Sequence, residues 1–151
     1  MHWDKEKIKS ILPQREPFLF IDEVIEVEEG KRVVAKKYLD PALDFFKGHF
    51  PGNPVMPGAL IIEAMAQTGL ILYYTTKPHI AKTHPDYYLT SINVTFKSPV
   101  YPKDTLILEA HNFKIVEFGG VVDITAKVKD KIVATSRSTF AVVTKKNQDA
   151  K

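Results

Sequence analysis

The sequence predicts an α+β domain in which an antiparallel sheet of about six strands wraps around one central apolar helix. Residues 59–74 are apolar on every side of a helix, with little polarity beyond Glu63, Gln67 and Thr68. Such a helix belongs in a protein interior. The segments on both sides of it alternate between apolar and polar residues, as half-buried strands do. A sheet around the helix is the economical way to bury it.

The segment before the central helix is predicted to hold one short helix and two strands. Asp4 is the expected N-cap of a helix that places Ile8, Ile11 and Leu12 on one face. The predicted elements are this helix over 4–12, a strand over 18–28, a turn at Glu29-Gly30, and a strand over 33–40 that ends at Asp40-Pro41. Asp44-Phe45-Phe46 then leads into a loop rich in glycine and proline.

Four further strands are predicted after the central helix, over 88–97, 105–115, 121–129 and 132–143. Asp130-Lys131 is the expected hairpin between the last two strands, and Gly119-Gly120 is expected to mark another turn. Residues 77–86 are polar and contain prolines, which predicts a surface connection. His79 and His84 in that connection do not have a standard metal-ligand spacing.

Length and composition favour one globular domain over residues 1–144, followed by a frayed tail over 145–151. The net charge of +3, with no basic cluster interleaved with aromatic residues, argues against a nucleic-acid partner. The central helix is too short and too interrupted by Glu63 for a convincing membrane span. The charged N-terminus has no apolar core region, so a cytoplasmic location is expected. Because the chain has no cysteine, disulfides, thiolate metal sites and a cysteine nucleophile are excluded.

Residues 48–58 are predicted to form a loop that leads into the central helix and contains a candidate catalytic residue. Three glycines and three prolines in eleven residues indicate a rigid loop that exposes its backbone. His49 lies in the loop, and Glu63 lies in the apolar helix, where desolvation raises the pKa of a carboxyl group. A base and a protonated acid in one dry site suit an elimination or the reverse hydration, and the N–H of Gly58 at the helix start could receive an oxyanion. A structural histidine and a surface glutamate are the plainer alternatives.

Three segments resemble the β-hydroxyacyl-[acyl-carrier-protein] dehydratases of type II fatty acid synthesis. They are GHFPGNPVMPG followed by ALIIEAMAQ at 48–67, LPQREPFLFID at 12–22 and FKSPVYPKD at 96–104, within a similarity that covers about residues 8–143. The resemblance implies the hot-dog fold, in which two protomers join their sheets into a dimer. Gln14, Glu16 and Lys103 depart from the residues usual in that family.

The resemblance also implies a mechanism for the removal of water from a (3R)-hydroxyacyl thioester, which gives the trans-2-enoyl thioester. His49 would remove the proton next to the thioester carbonyl, Glu63 would protonate the leaving hydroxyl, and the Gly58 N–H would hold the carbonyl oxygen. The Val55 main chain and Gln67 would support the site. No metal or organic cofactor is needed, because the thioester itself acidifies the carbon. A glutamate at position 63, where relatives that also isomerise carry aspartate, indicates a dehydratase only.

The partner implied by the resemblance is acyl carrier protein bearing the substrate. Arg15, Lys97 and Lys103 lie in the matching surface segments, and they are the expected contacts to this acidic carrier. A homodimer, and beyond it a trimer of dimers, is the implied assembly, with Glu63 of each protomer facing His49 of the other. A hot-dog acyl thioesterase and a non-catalytic acyl-binding subunit are the alternatives, and neither requires His49 and Glu63 together.

Overall fold

The computed structural model describes residues 2–48 and 52–145, and this part of the chain folds into a six-stranded antiparallel sheet packed on one long helix. In chain order the elements are α1 Lys5–Ile11, β1 Glu23–Glu28, β2 Arg32–Tyr38, α2 Asp44–Gly48, α3 Gly58–Thr76, α4 Pro78–Ala81, β3 Asp86–Phe96, β4 Thr105–Val116, β5 Gly119–Val128 and β6 Lys131–Val143. The strands lie in the order β1-β2-β4-β5-β6-β3, and every neighbouring pair is antiparallel. The predicted α+β class is confirmed.

Helix α3 is the centre of the core, and the sheet packs against it mainly through β4, β2 and β5. Ala64, Met65, Ile71 and Leu72 of α3 are completely buried. The helix begins one residue earlier and ends two residues later than the apolar run predicts. Within the described residues, no helix is both long and apolar enough to cross a bilayer.

The β5–β6 hairpin follows the predicted alternation but turns one residue earlier than expected. Lys129 and Asp130 both have positive φ, 49° and 65°, which is the backbone of a two-residue type I′ hairpin turn. Lys131 is therefore the first residue of β6, and the prediction of Asp130-Lys131 as the turn is wrong by one position. The predicted turn at Glu29-Gly30 is confirmed between β1 and β2.

Gly119 and Gly120 begin β5, so the prediction that they form a turn is wrong. The turn is made by the two residues before them. A Cβ on Gly119 would lie 2.5 Å from the carbonyl oxygen of Phe140, and one on Gly120 would lie 2.9 Å from Cα of Ile115. Close backbone approach, rather than chain reversal, is therefore what requires glycine here.

Two short helices and several strand boundaries differ from the predictions, most of all the start of β1. Helices α2 and α4 were not expected, and α4 buries Ile80 and Ala81 inside the supposed surface connection. Strand β1 begins only at Glu23, because the residues before it leave the sheet and approach α3. Helix α1 is confirmed, with the Asp4 side chain accepting a hydrogen bond from the Lys7 N–H at 3.0 Å. The predicted tail lies outside the described residues from position 146 onward and stays a prediction.

Candidate active site

The predicted base, His49, lies outside the described residues, so its role stays a prediction. Both flanks of its loop are described. Helix α2 ends at Gly48, and on the other side the N–H of buried Met56 donates to the Val100 carbonyl at 2.8 Å. Val55, the predicted main-chain contact, is half-buried directly before this anchor. The described flank that contains Met56 is thereby fixed to the segment that follows β3.

Glu63 and Gln67 lie one turn apart on α3 and are joined by a hydrogen bond. Gln67 Nε2 donates to Glu63 Oε1 at 3.2 Å and to the Phe18 carbonyl at 2.9 Å. Gln67 Oε1 accepts from the Phe20 N–H at 2.9 Å, and the whole side chain is buried. Because each end of the amide has backbone partners, its orientation is fixed, and the Glu63 carboxyl receives a donor in a defined place.

Burial is the main influence on the Glu63 carboxyl, and it raises the pKa of that group. The hydrogen bond from Gln67 acts in the opposite direction and is the smaller effect. A carboxyl whose charged form is poorly solvated holds its proton to higher pH than an exposed glutamate does. At a given pH the group is therefore protonated, and able to act as an acid, more often than an exposed glutamate is.

The chain between Pro17 and Asp22 holds Gln67 in place through its backbone. Leu19 and Ile21 of this segment are buried in the core at 1% and 0% exposure. Asp22 fixes the end of the segment, since its carboxylate accepts from the Tyr38 N–H at 2.7 Å and lies 3.2 Å from Nζ of buried Lys37. The sequence analysis missed this support, because backbone groups carry no side-chain signal.

Gly58 is the first residue of α3, where backbone N–H groups have no partner within the helix. Pro57 provides no side-chain cap. A Cβ on Gly58 would lie 3.0 Å from the tip of the Phe96 ring, so the glycine allows this ring to pack against the helix start. The helix start borders an open groove lined by Met56, Gly58, Ile61, Phe96, Lys97, Ser98 and Pro99. A carbonyl oxygen in this groove could accept from the helix N-terminus.

Glu63 borders a different cavity, with about 530 Å³ of empty space including its open mouth. Its lining consists of Gln14, Glu63, Ala66, Gln67, Gly69, Leu70, Tyr87, Tyr88, Leu89, Val122, Ser138 and Phe140. The α3 residues Glu63, Ala66, Gln67 and Leu70 follow one face of the helix, so the cavity extends along that face. Burial raises the pKa of Tyr87 to about 12, so its hydroxyl stays neutral.

Glu63 and Gly58 line two different cavities of one protomer. They are five residues apart, which turns them about 140° from each other around the helix. The Glu63 cavity meets β3 near Leu89, whereas the Gly58 groove meets it at Phe96. Seven residues of antiparallel strand separate these two positions by about 24 Å.

The three predicted carrier contacts have different surroundings. The Arg15 guanidinium donates to the carbonyls of Lys9, Leu12 and Gln14 at 2.8–2.9 Å, and it thereby caps the end of α1. Lys97 is exposed and lines the Gly58 groove. Lys103 is exposed in a turn at φ 72°, a left-handed conformation that favours glycine. These contacts to a carrier stay predictions, and Lys97 is the one that lies beside a candidate site residue.

Solved structures first identify the fold. A dehydratase heterocomplex, ApeI:P from Xenorhabdus doucetiae, matches with a TM-score of 0.77 at 16% identity and covers 95% of both chains. The E. coli PaaI protein of the phenylacetic acid degradation operon matches with a TM-score of 0.62 at 17% identity, over 80% of this chain and 78% of that one. The sheet and central helix are thus those of the hot-dog fold.

Sequence similarity then defines the family. The FabA-like domain model matches residues 12–137. A 3-hydroxyacyl-[acyl-carrier-protein] dehydratase FabZ of Caldicellulosiruptor saccharolyticus is 39% identical over 140 residues, which cover 93% of this chain and 99% of the relative. The FabZ of Enterococcus faecalis is 43% identical over 136 residues, 90% of this chain and 95% of the relative. The chain therefore belongs to the β-hydroxyacyl-[acyl-carrier-protein] dehydratase family of hot-dog proteins.

Proposed function

We propose that the chain removes water from (3R)-hydroxyacyl thioesters on acyl carrier protein and forms the trans-2-enoyl thioester. The observation that carries this proposal is the partly buried Glu63 carboxyl, whose pKa is raised and whose position is fixed by Gln67. A dehydration needs such an acid, because hydroxide is a poor leaving group unless its oxygen gains a proton. The named activity of relatives that are 39–43% identical is the same reaction class.

In the proposed mechanism His49 takes the proton from the carbon next to the thioester carbonyl. The electron pair of that C–H bond forms the new double bond, while the C–O bond at the third carbon breaks. Glu63 gives its proton to the departing oxygen, so the leaving group is water. The Gly58 N–H, at the positive end of the α3 dipole, stabilises the negative charge that develops on the carbonyl oxygen.

We further propose that two protomers share each site through the open edge of β3. Among the described residues β6 alone pairs with β3, and Tyr88, Leu89 and Phe96 on this strand are 46–52% exposed. If two β3 strands pair antiparallel about a centre between residues 92 and 93, Leu89 of one protomer lies opposite Phe96 of the partner subunit. This pairing would bring the Glu63 cavity of one protomer to the Gly58 groove of the other.

The shared site also accounts for the part of α3 that its own sheet leaves uncovered. Ala59 is exposed, and Ile62, Glu63 and Ala66 are half-buried, along one side of α3. A second copy at the β3 edge would cover the apolar residues of this face and enclose Glu63. The open edge of β3 and the uncovered face of α3 thus support the proposed homodimer. The trimer of dimers and the cytoplasmic location stay predictions from the sequence.

The carrier is proposed to approach the Gly58 groove, which has Lys97 on its rim. A thioester reaches the helix N-terminus from this side, and an exposed lysine can attract an acidic carrier. Arg15 is a weaker candidate for a carrier contact, because its guanidinium already donates hydrogen bonds to three backbone carbonyls.

The activity is tested with a 3-hydroxyacyl thioester of acyl carrier protein or of N-acetylcysteamine. Enoyl absorbance should rise while free thiol stays constant. Release of thiol without enoyl product would instead identify a thioesterase, and no change in either signal would identify a non-catalytic acyl-binding subunit.

The shared site is tested with a mixture of the inactive variants His49→Ala and Glu63→Gln. A mixed dimer then has one site with both residues changed and one with both intact. Random pairing makes about half of the dimers mixed, so roughly a quarter of the wild-type activity should return. A mixture that stays inactive after verified subunit exchange would contradict the shared site and leave the reaction itself untouched.

A further inference from the structure

Two residues that line the Glu63 cavity each have a buried polar atom with no hydrogen-bond partner among the described residues. Ser138, on β6, is 2% exposed, and its Oγ makes no hydrogen bond. The side-chain amide oxygen of Gln14 is also shielded from solvent and unpaired. Both residues line the cavity. Unpaired buried polar groups are costly and uncommon in native proteins, so two of them in one cavity call for a functional explanation.

Ser138 lies at a definite level along α3. It is opposite Val122 of β5 in the sheet register, and a Val122 methyl group lies 3.2 Å from the position that a Cβ of Gly69 would occupy. Gly69, Val122 and Ser138 also line the same cavity, so Gly69 is the α3 residue against which we measure the position of Ser138. Glu63 precedes Gly69 by six residues, which corresponds to about 9 Å along the helix axis.

The distance of about 9 Å along the helix can be expressed as a number of bonds in an acyl chain that lies along the same face of the helix. An extended chain advances about 1.2 Å per bond, since three backbone bonds span about 3.3–3.6 Å. The 9 Å between the levels of Glu63 and Ser138 thus corresponds to roughly seven or eight bonds. If Glu63 protonates the oxygen on C3, as in the proposed function, Ser138 lies near C10.

We propose that Ser138 determines specificity by binding a hydroxyl group that the acyl chain carries near C10. The Ser138 hydroxyl can donate to that oxygen or accept from it, and the unpaired amide oxygen of Gln14, which lines the same cavity, is a second acceptor. A chain without such a group leaves both polar atoms unpaired. Sites built to bind a hydroxyl discriminate against analogues that lack it for this reason.

The inference rests on the proposed function and is tested with pairs of N-acetylcysteamine thioesters. The central pair is 3-hydroxydecanoyl and 3,10-dihydroxydecanoyl, and dihydroxy chains two carbons shorter and longer test the position. Wild-type protein should prefer the dihydroxy chain, most strongly at C10. Ser138→Ala should lower kcat/KM for 3,10-dihydroxydecanoyl by about 2–12-fold, the range for one lost hydrogen bond, and should not lower it for 3-hydroxydecanoyl.

Ser136→Ala is the matched control. Ser136 lies on the same face of β6, is 8% exposed and has an equally unpaired Oγ, but it does not line the Glu63 cavity. This variant should leave the ratio of the two kcat/KM values unchanged. The pair Ser138→Thr and Ser138→Val, which differ in one hydroxyl at similar volume, repeats the comparison if the alanine variant does not fold.

Equal effects of Ser138→Ala on both substrates would overturn the inference, because Ser138 would then make no hydrogen bond to the second hydroxyl of the substrate. A wild-type protein with no preference between the two chains would overturn it as well. A wild-type protein that dehydrates neither chain would instead overturn the proposed function. Loss of the dihydroxy preference in Ser138→Val but not in Ser138→Thr would support the inference independently of cavity volume.

Discussion

Replacement of Gln67 by methionine tests the support of the candidate acid most directly. Methionine has a similar size, but it cannot make the three hydrogen bonds to Phe18, Phe20 and Glu63. The Phe20 N–H and the Phe18 carbonyl lose a partner within the fold, and together this costs about 2–4 kcal/mol. At about 2–4 °C per kcal/mol for a chain of this length, the Tm should fall by roughly 4–16 °C.

The same variant should change the pH dependence in a predictable direction. Gln67 lowers the pKa of Glu63 against the larger raising effect of burial, so its removal leaves that pKa higher still. A general acid works in its protonated form, and the rate falls as pH rises through its pKa. The falling limb of the kcat profile should therefore move to higher pH, while kcat on the plateau decreases because the carboxyl is no longer held.

Thr68→Val is the matched control for this experiment. Thr68 is completely buried in the same helix, and its hydroxyl donates to the Ala64 carbonyl at 2.9 Å. Its loss should cost about 1 kcal/mol and leave the pH profile in place. An unchanged Tm of the Gln67→Met protein would refute the assigned role of Gln67. So would a kcat profile whose falling limb is unchanged or moves to lower pH.

Three further predictions follow from the site and its surroundings. Glu63→Gln should lower kcat about 10²–10⁴-fold. Because the folded-state pKa of Glu63 is raised, the stability of the wild-type protein should decline as pH rises through that pKa. The Tm of Glu63→Gln minus the Tm of the wild type should therefore increase as the pH is raised. Lys103→Gly should raise stability by about 0.5–1 kcal/mol by relieving a left-handed residue, whereas Lys103→Ala, which removes the same charge, should not. Lys97→Glu should raise KM for carrier-bound substrate and not for a small thioester, while Lys82→Glu, at the exposed residue that follows α4, should change neither, and equal losses on both substrates would assign Lys97 to the fold or the chemistry instead.

The sequence by itself determined the elements whose pattern is local. The run of apolar residues at 59–74 identified α3, and the alternation around Val122 and Ile124 identified β5, because helix and strand periodicity are written in neighbouring residues. Asp4 predicted the start of α1 for a similar reason, since a cap acts within its own turn. The motif segments also identified the family without any coordinates.

Tertiary structure decided what depends on residues that are far apart in the chain. The hydrogen bonds of Gln67 reach Phe18 and Phe20, almost fifty residues away, and no local pattern predicts which backbone groups will meet a buried amide. Gly119 looked like a turn residue, yet it serves the approach of β6, a contact set by register. Ser138 looked like one more strand residue until the packing of α3 on the sheet brought it into the cavity of Glu63. Periodicity is encoded locally, whereas the neighbours of a buried polar group are fixed only when the whole chain has packed.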